Sequence, residues 1–446
     1  MRFSRASLLI GLLAALVVAS PAGAKPPPIK HVWIVLLENE NAATSFGPGS
    51  PAPYLATTLR HRGQFLPNYY GITHASLGNY LALVSGQGSN AQTRSDCQTF
   101  TEFTPGNIGA SGQAQGQGCV YPASVQTIAN QLQAKGLSWR EYAEDMGSDL
   151  ARDGSATCAH PTIGTHDNTL SASPTDQYAT RHNPFVYFHS LLNNGSCAQN
   201  DVSLAPLQGD LGAGRVPSYT FITPDLCHDG HDANCADGGP GGLPAANGFL
   251  QTWIPKIQAT KPYRDGGMIV VTFDEAHSDS TTCCNQPANL GQASSAGGGR
   301  VGAVVLSKYV KPGTTNATAY NHYGLLRSFE DLFGLGHLGY AGEPGLKAFG
   351  NDVYNACREG DDRPVPHHGR YHRGAVISSA SIHSHTVSIR MRHPARVSGV
   401  VSGHTVLGPR TLAVCKTYKF HLSRRHGKLT LRARRGHGVE QRVLRF

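Results

Sequence analysis

Residues 68–86 hold a glycine-containing turn, then Ser76, then an apolar stretch, the makings of a nucleophile at the start of a helix. Leu77, Tyr80, Leu81 and Val84 recur at i, i+3, i+4 and i+7, the spacing of one buried face of a short amphipathic helix. Gly86 stands where a left-handed residue would end that helix. Ser76 then lies among unpaired N–H groups at the positive end of the helix dipole, which attract a phosphate and stabilise an alkoxide. A plain helix cap is the alternative reading of the same serine. Asn79, one turn in, is placed to donate its amide to the same anion.

Two polar pairs at strand ends are site candidates by position. Glu38-Asn39 follows the apolar run His31–Leu37, and Asp274-Glu275 follows Gly267–Phe273. Both runs read as strands buried on both faces of a sheet, and in α/β sheets ligands bind beyond the carboxyl ends of strands. Adjacent carboxylates repel unless a cation lies between them, so Asp274 and Glu275 point to a metal ion. Residues 225–232 place Asp225, His228, Asp229, His231 and Asp232 within eight positions, a mixture suited to a divalent transition metal or a catalytic pocket. Which of the five turn inward stays open. His182, in a polar stretch before Phe185, is a candidate proton donor or phosphate contact, and His322 a further metal ligand.

The elements that must position these groups alternate strand and helix. Further strands are expected at Leu137–Tyr142, Ser218–Ile222 and Val301–Leu306, and helices at Tyr54–Arg60, Val125–Gln133 and Gly324–Phe333. Residues 86–120, rich in Gly, Gln and Ser and without a period, read as an ordered surface excursion tied by a disulfide. Charged, Pro- and His-rich residues 358–374 read as a linker. Alternating segments such as Thr386–Met391 and Lys428–Ala433 make 375–446 a small β module.

The charge is unevenly spread. Of a net +9, residues 390–446 hold 14 Lys and Arg against the single acid Glu440, leaving residues 1–389 at −4. Such a tail attracts anionic lipid, cell-wall polymer or nucleic acid. Residues 1–24 read as a signal peptide, with Arg2 and Arg5, the apolar run Leu8–Val18 and the small residues Ala22-Gly23-Ala24 before the cut, and the run is shorter than the roughly 20 residues a membrane anchor needs. Ten cysteines and no C-x-x-C pair fit an oxidising compartment and argue against a zinc ribbon. Cys97 with Cys119, Cys158 with Cys197 and Cys227 with Cys235 are the expected local bridges. Adjacent Cys283 and Cys284 are expected to bridge to different partners, given the α-carbon separation disulfides prefer.

Read together, Glu38-Asn39, Thr73-His74-Ala75-Ser76-Leu77-Gly78-Asn79-Tyr80, Asp274-Glu275 and Asn321-His322-Tyr323 resemble the bacterial phosphoesterase family of the alkaline phosphatase superfamily, over roughly residues 30–350. That family holds secreted acid phosphatases and phospholipases C. The resemblance implies a three-layer α/β/α sandwich over 25–357 and a divalent metal (zinc, calcium, magnesium or manganese) at Glu38, Asn39, Asp274 and Glu275, to which His322 is added as a candidate ligand. It also implies Ser76 as nucleophile, with Thr73 as the fallback, and Asn79 as phosphate contact. Gly78 replaces a proline usual at that place and is expected to loosen the turn. His182, His231 and His322 are the candidate proton shuttles, and Thr73, His74, Asp229 and His231 are assigned to the substrate. No Cys-x-Pro-Ser-Arg segment is present to make a sulfatase. The expectation is a secreted phosphomonoesterase acting through a phosphoserine, on a phosphate ester that could be a phospholipid or phosphoinositide, with no obligate protein partner. A phospholipase C is the first alternative, and a non-catalytic surface-binding protein the second.

Overall fold

Residues His31–Leu37 (β1) are apolar at nearly every position, and Val32 to Leu37 are wholly buried, so both faces of the strand are covered. Each such side chain contributes roughly 1.5–3 kcal/mol by leaving water, which fixes β1 at the centre of a sheet. The sheet adds β2 (Gln64–Leu66), β3 (Trp139–Ala143), β4 (Asp201–Ser203), β5 (Tyr219–Thr223), β6 (Gly267–Phe273), β7 (Ala303–Ser307) and β8 (Thr314–Thr315), in the order β8-β2-β7-β6-β1-β5-β3-β4. β1 lies parallel between β5 and β6, and β3 and β4 continue in parallel on the β5 side. β7 runs antiparallel to both its neighbours, β6 and β2. This computed structural model describes residues 26–287, 296–355, 377–391, 395–412, 417–423, 426–435 and 438–446. The signal segment expected at 1–24, the linker at 358–374, Cys357 and Cys415 lie outside them.

Register assigns the two helical layers. Val32 and Ile34 sit beside Tyr219 and Phe221, so all four share one face of the sheet. On that face Phe221 meets Tyr80 of α1 (Ser76–Ser85), and Tyr219 meets Phe329 of a later helix, His322–Phe333. Trp33 points to the other face, against Tyr263 of the helix Lys261–Gly266, which follows the long helix Gly242–Gln258 (α2). With His322–Phe333 as α3, the architecture is the expected α/β/α sandwich. α1 is not amphipathic, because all ten of its residues are buried between the sheet and its neighbours. It ends at Gly86, where φ is +69° and a β-carbon would stand 2.2 Å from the Leu338 carbonyl oxygen, so only glycine fits.

Residues 86–120 contain a hairpin, Thr104–Ile108 with Ala114–Gln117, and are tied by the bridge Cys97–Cys119. Cys158–Cys197 and Cys227–Cys235 are also paired as expected. Cys283 and Cys284 correct the sequence reading: they bridge to each other, with α-carbons 3.8 Å apart. The bridge sits in a turn where Cys284 and Asn285 both have positive φ. The C-terminal strands form two further sheets, Ile377–His383, Thr386–Met391 and Thr417–His421 in one and His404–Leu412, Ala395–Val401, Lys428–Arg435 and Gly438–Arg445 in the other. They share an apolar core of their own, including Ile389, Val397, Leu429 and Leu431. Among the described residues no helix is long and apolar enough to cross a membrane.

Candidate active site

Three neighbouring parallel strands end together, and each delivers a carboxylate. Leu37 pairs with Phe273, so the residues after them, Glu38 and Asp274, emerge side by side. The chain leaving β5 returns as residues 225–232, and the Glu38 N–H donates to the Asp229 carbonyl at 2.8 Å. Glu38, Asp229 and Asp274 are all fully buried. Burial drives the Glu38 and Asp229 carboxyls far above the usual carboxylate range, and the Asp274 and Asp229 charges push Glu38 further. Asp274 is raised by the same burial.

Ser76 opens α1 directly beneath this cluster. Its hydroxyl donates to Glu38 Oε2 at 2.7 Å, and one turn later Tyr80 donates to Glu38 Oε1 at 2.6 Å. The helix cap is Ala75, and the Leu77 N–H is taken at 3.0 Å by Asp96 Oδ1, so Ser76 is free of any capping duty. Asn39 ties two of these carboxylates together: its amide donates to Glu38 Oε2 at 3.1 Å and its N–H to Asp274 Oδ1 at 3.0 Å. The His182 ring stacks on Tyr80, with centroids 5.2 Å apart and planes 4° from parallel. Its Nε2 stands 3.5 Å from Glu38 Oε2 and its Nδ1 3.8 Å from Asp229 Oδ2. Burial, and secondarily the Arg181 charge, lowers its pKa so that the imidazole is neutral.

This arrangement leaves buried polar atoms without partners: both His182 ring nitrogens, Asp229 Oδ2 and Asp274 Oδ2. Unsatisfied buried carboxylates are costly, and the residue types present, carboxylate oxygens with an imidazole beside them, are those that bind divalent cations. The residues therefore fit a metal ion held by Glu38, Asn39, Asp274 and Asp229. Among the described residues the two tighter His/Cys/Asp groupings elsewhere, around Cys158 and Cys227, consist partly of disulfide sulfurs and offer no thiolate.

The other expected residues divide. Glu275 and His231 line the same cleft of about 390 Å³ as Glu38, Asn39, Ser76 and His182. Glu275 Oε2 is paired at 2.9 Å with His74 Nδ1, which fastens the nucleophile turn to the end of β6. Glu275 titrates near 8 through burial, offset in part by that His74 bond. His322 is not a metal ligand: its Nε2 lies 2.5 Å from the Asp274 backbone carbonyl and its Nδ1 3.0 Å from the Tyr69 hydroxyl. It props the Asp274 backbone. Asn79 is not a phosphate contact either. It is fully buried, its amide donates to the carbonyls of Thr73 and Ala75, and its Oδ1 accepts from the N–H groups of Ile72 and Thr73. Thr73 is buried under the turn, bonded to the His74 carbonyl and to Ser89, and does not line the cleft. Gly78 does not loosen the turn, because a β-carbon there would lie 2.6 Å from Thr73 Cγ2 and 2.9 Å from Ser89 Cβ.

Of the 225–232 group, Asp229 turns into the cluster and His231 into the cleft. His228 pairs instead with Asp225 and Glu144, each at 3.0 Å, and is held up at about 10 by them. Two charged groups of the cleft wall, Asp96 and Arg181, and the buried Tyr80 that holds Glu38 from beneath were not among the expected site residues. Tyr80 lies at i+4 from Ser76 on one helix face, a face that Asn79 at i+3 shares.

The fold and this centre define an α/β enzyme in which a serine hydroxyl faces a carboxylate cluster suited to a cation. The chain belongs to the Phosphoesterase family, whose model matches residues 50–336, a span that includes Ser76, His182, Asp229 and Asp274. It is 26% identical over 309 residues to a phosphate-repressible acid phosphatase of Penicillium chrysogenum, covering 69% of this chain and 59% of that one. An acid phosphatase of Aspergillus fumigatus matches at 24% over 69% of this chain and 55% of that one. The chain thus spans less than two thirds of the length of these fungal relatives. A phosphatidylinositol-3-phosphatase of Mycobacterium tuberculosis is 26% identical, covering 76% of this chain and 92% of that one. Among solved structures, an alkaline phosphatase superfamily protein from Vibrio parahaemolyticus is similar over 90% of this chain and 83% of that one, at TM-score 0.39 and 12% identity.

Proposed function

We propose that this chain is a secreted, metal-dependent phosphomonoesterase of acid-phosphatase type. The observation that carries this reading is the Ser76 hydroxyl held at 2.7 Å on the buried Glu38, beside Asp229 and Asp274, which each keep an unpartnered oxygen. Ser76 Oγ attacks phosphorus, forming the Oγ–P bond as the ester P–O bond breaks, and its proton passes by way of Glu38, the acceptor of its hydrogen bond, and His182 to the departing oxygen. The alcohol leaves with a proton, and water then cleaves the phosphoserine to release phosphate. His182, neutral and between Glu38 and Asp229, is the group placed to shuttle protons in both halves, with His231 nearer the cleft mouth. A divalent cation held by Glu38, Asn39, Asp274 and Asp229 would neutralise the charge that gathers on phosphorus. The disulfides of the described residues support an oxidising, extracytoplasmic location. The mycobacterial relative's name makes a phosphoinositide monoester a candidate substrate, since the match covers 92% of that protein.

Hydrolysis of p-nitrophenyl phosphate by the wild type and by Ser76→Ala, before and after chelation and metal add-back, tests the proposal. Release should be metal-restored and lost in the variant, while near-normal turnover by Ser76→Ala would remove the serine from the mechanism. Preference for p-nitrophenylphosphorylcholine would reassign the chain to phospholipase C chemistry.

A further inference from the structure

The C-terminal four-stranded sheet has one face in its core and one in water. Leu429, Leu431 and Ala433 are buried, and the alternate positions Lys428, Arg432 and Arg434 are exposed. Pairing extends that outer face across three strands. Arg434 stands opposite Arg396 on one side and Val439 on the other, Arg432 opposite Gln441, Thr430 opposite Val443, and Lys428 opposite Arg445. Directly opposed residues project from the same face, so Arg396, Lys428, Arg432, Arg434 and Arg445 form one cationic surface. Glu440, the only acid in residues 375–446, projects to the opposite face, where it bonds Arg442 and the Ile377 N–H.

Two apolar side chains stand among these cations. Val439 and Val443 are 56% and 45% exposed, among the most exposed large apolar residues of the described chain. Adjacent strand positions lie about 5–7 Å apart, inside the Debye length of about 8 Å at physiological salt, so the charges act as one field. Like charges placed directly opposite each other, as Arg396 and Arg434 are, destabilise a sheet unless something anionic relieves them.

We propose that this face docks the protein on an anionic lipid surface, the basic side chains pairing with headgroup phosphates while Val439 and Val443 enter the interfacial layer. The valines favour lipid over a soluble polyanion, because a nucleic acid backbone rewards cations but gives no return for exposed aliphatic groups. The inference does not depend on the phosphatase reading, since none of these residues belongs to the cleft.

The test is sedimentation of the full-length protein with phosphatidylcholine vesicles, with and without phosphatidylglycerol, at low and high salt. Wild type should bind the anionic vesicles alone. Substituting Lys428→Gln, Arg432→Gln and Arg434→Gln together should weaken binding about a hundredfold, at roughly fivefold per basic residue. Val439→Ser with Val443→Ser should cost several-fold, a loss that persists at high salt where the charges are screened. Equal binding of wild type to both vesicles, or undiminished binding by the triple variant, overturns the proposal. So does a DNA duplex that competes the vesicles away while the valine pair makes no difference, which marks a nucleic-acid face. Should the triple variant misfold by circular dichroism, the wild-type lipid and salt series and the valine pair decide.

Discussion

Ser76 and Tyr80, one turn apart on α1, donate their hydroxyls to the two oxygens of a single carboxylate, Glu38, at 2.7 and 2.6 Å. Glu38 is thereby oriented from below by the same helix that presents the nucleophile. Tyr80→Phe keeps the ring stacked on His182 but leaves one buried carboxylate oxygen unpartnered, a loss of about 1–3 kcal/mol. The expected result is a lower melting temperature together with a kcat reduced about tenfold or more, whereas Ser76→Ala should abolish turnover at little cost in stability. Unchanged kcat in Tyr80→Phe would separate Tyr80 from the chemistry.

Asn79 makes the opposite prediction. Its side chain bonds four backbone groups of the turn 72–75, so Asn79→Ala strands two N–H groups and two carbonyls in a buried place. A loss of about 2–4 kcal/mol is expected. Asn79→Asp, which keeps the acceptor for Ile72 and Thr73 but not the donors, should fall between. Thermal unfolding beside KM decides the matter: a phosphate contact would raise KM in both variants without moving the melting temperature.

These two residues mark how far the sequence could be read. β6 is found where its apolar run lies, and β1 likewise, because strands buried on both faces are written as unbroken hydrophobic segments. The acids that follow them were therefore legible as a site. Asn79 and Tyr80 lie at i+3 and i+4 from Ser76, and a helix buried on every side gives no pattern to say which of them reaches Glu38. Asp96 and Arg181 reach the cleft from stretches without periodicity, shaped by disulfides and hydrogen-bonded turns. The Cys283–Cys284 bridge, unlike the three local ones, ran against the usual spacing rule.

Away from the cleft, Asp201 and Glu141 are buried side by side on adjacent strands, and burial raises both, Asp201 from 3.8 to about 7. Between those values the unfolded chain has already released the Asp201 proton and the folded chain has not. The folded state then binds more protons, so stability falls as pH rises from about 4 to about 7 and levels off above. At about 1.4 kcal/mol per unit, Asp201 accounts for at most about 4 kcal/mol of that fall. Asp201→Asn keeps an oxygen for the Asn183 amide and removes the charge, so its urea midpoint should be higher than wild type above neutral pH and similar in mild acid. An identical pH slope in the two proteins would exclude Asp201 as the source.

Arg181 supplies a cation to the wall of the cleft, steadied by hydrogen bonds from Nη1 to the carbonyls of Leu170 and Thr169 at 3.3 and 3.5 Å. Its charge is felt at Asp229 and at His182, which places it near the reacting end of the cleft. A phosphomonoester carries close to two negative charges at neutral pH and a diester one, so a fixed guanidinium favours the monoester. Arg181→Gln should lower kcat/KM for p-nitrophenyl phosphate about a hundredfold, at about 1.4 kcal/mol per tenfold, and should lower it much less for bis-p-nitrophenyl phosphate. Arg181→Lys should restore part of the loss, since charge is kept and the bidentate fork is not. Equal losses on both substrates would mean that Arg181 only holds the turn at 169–170 in place.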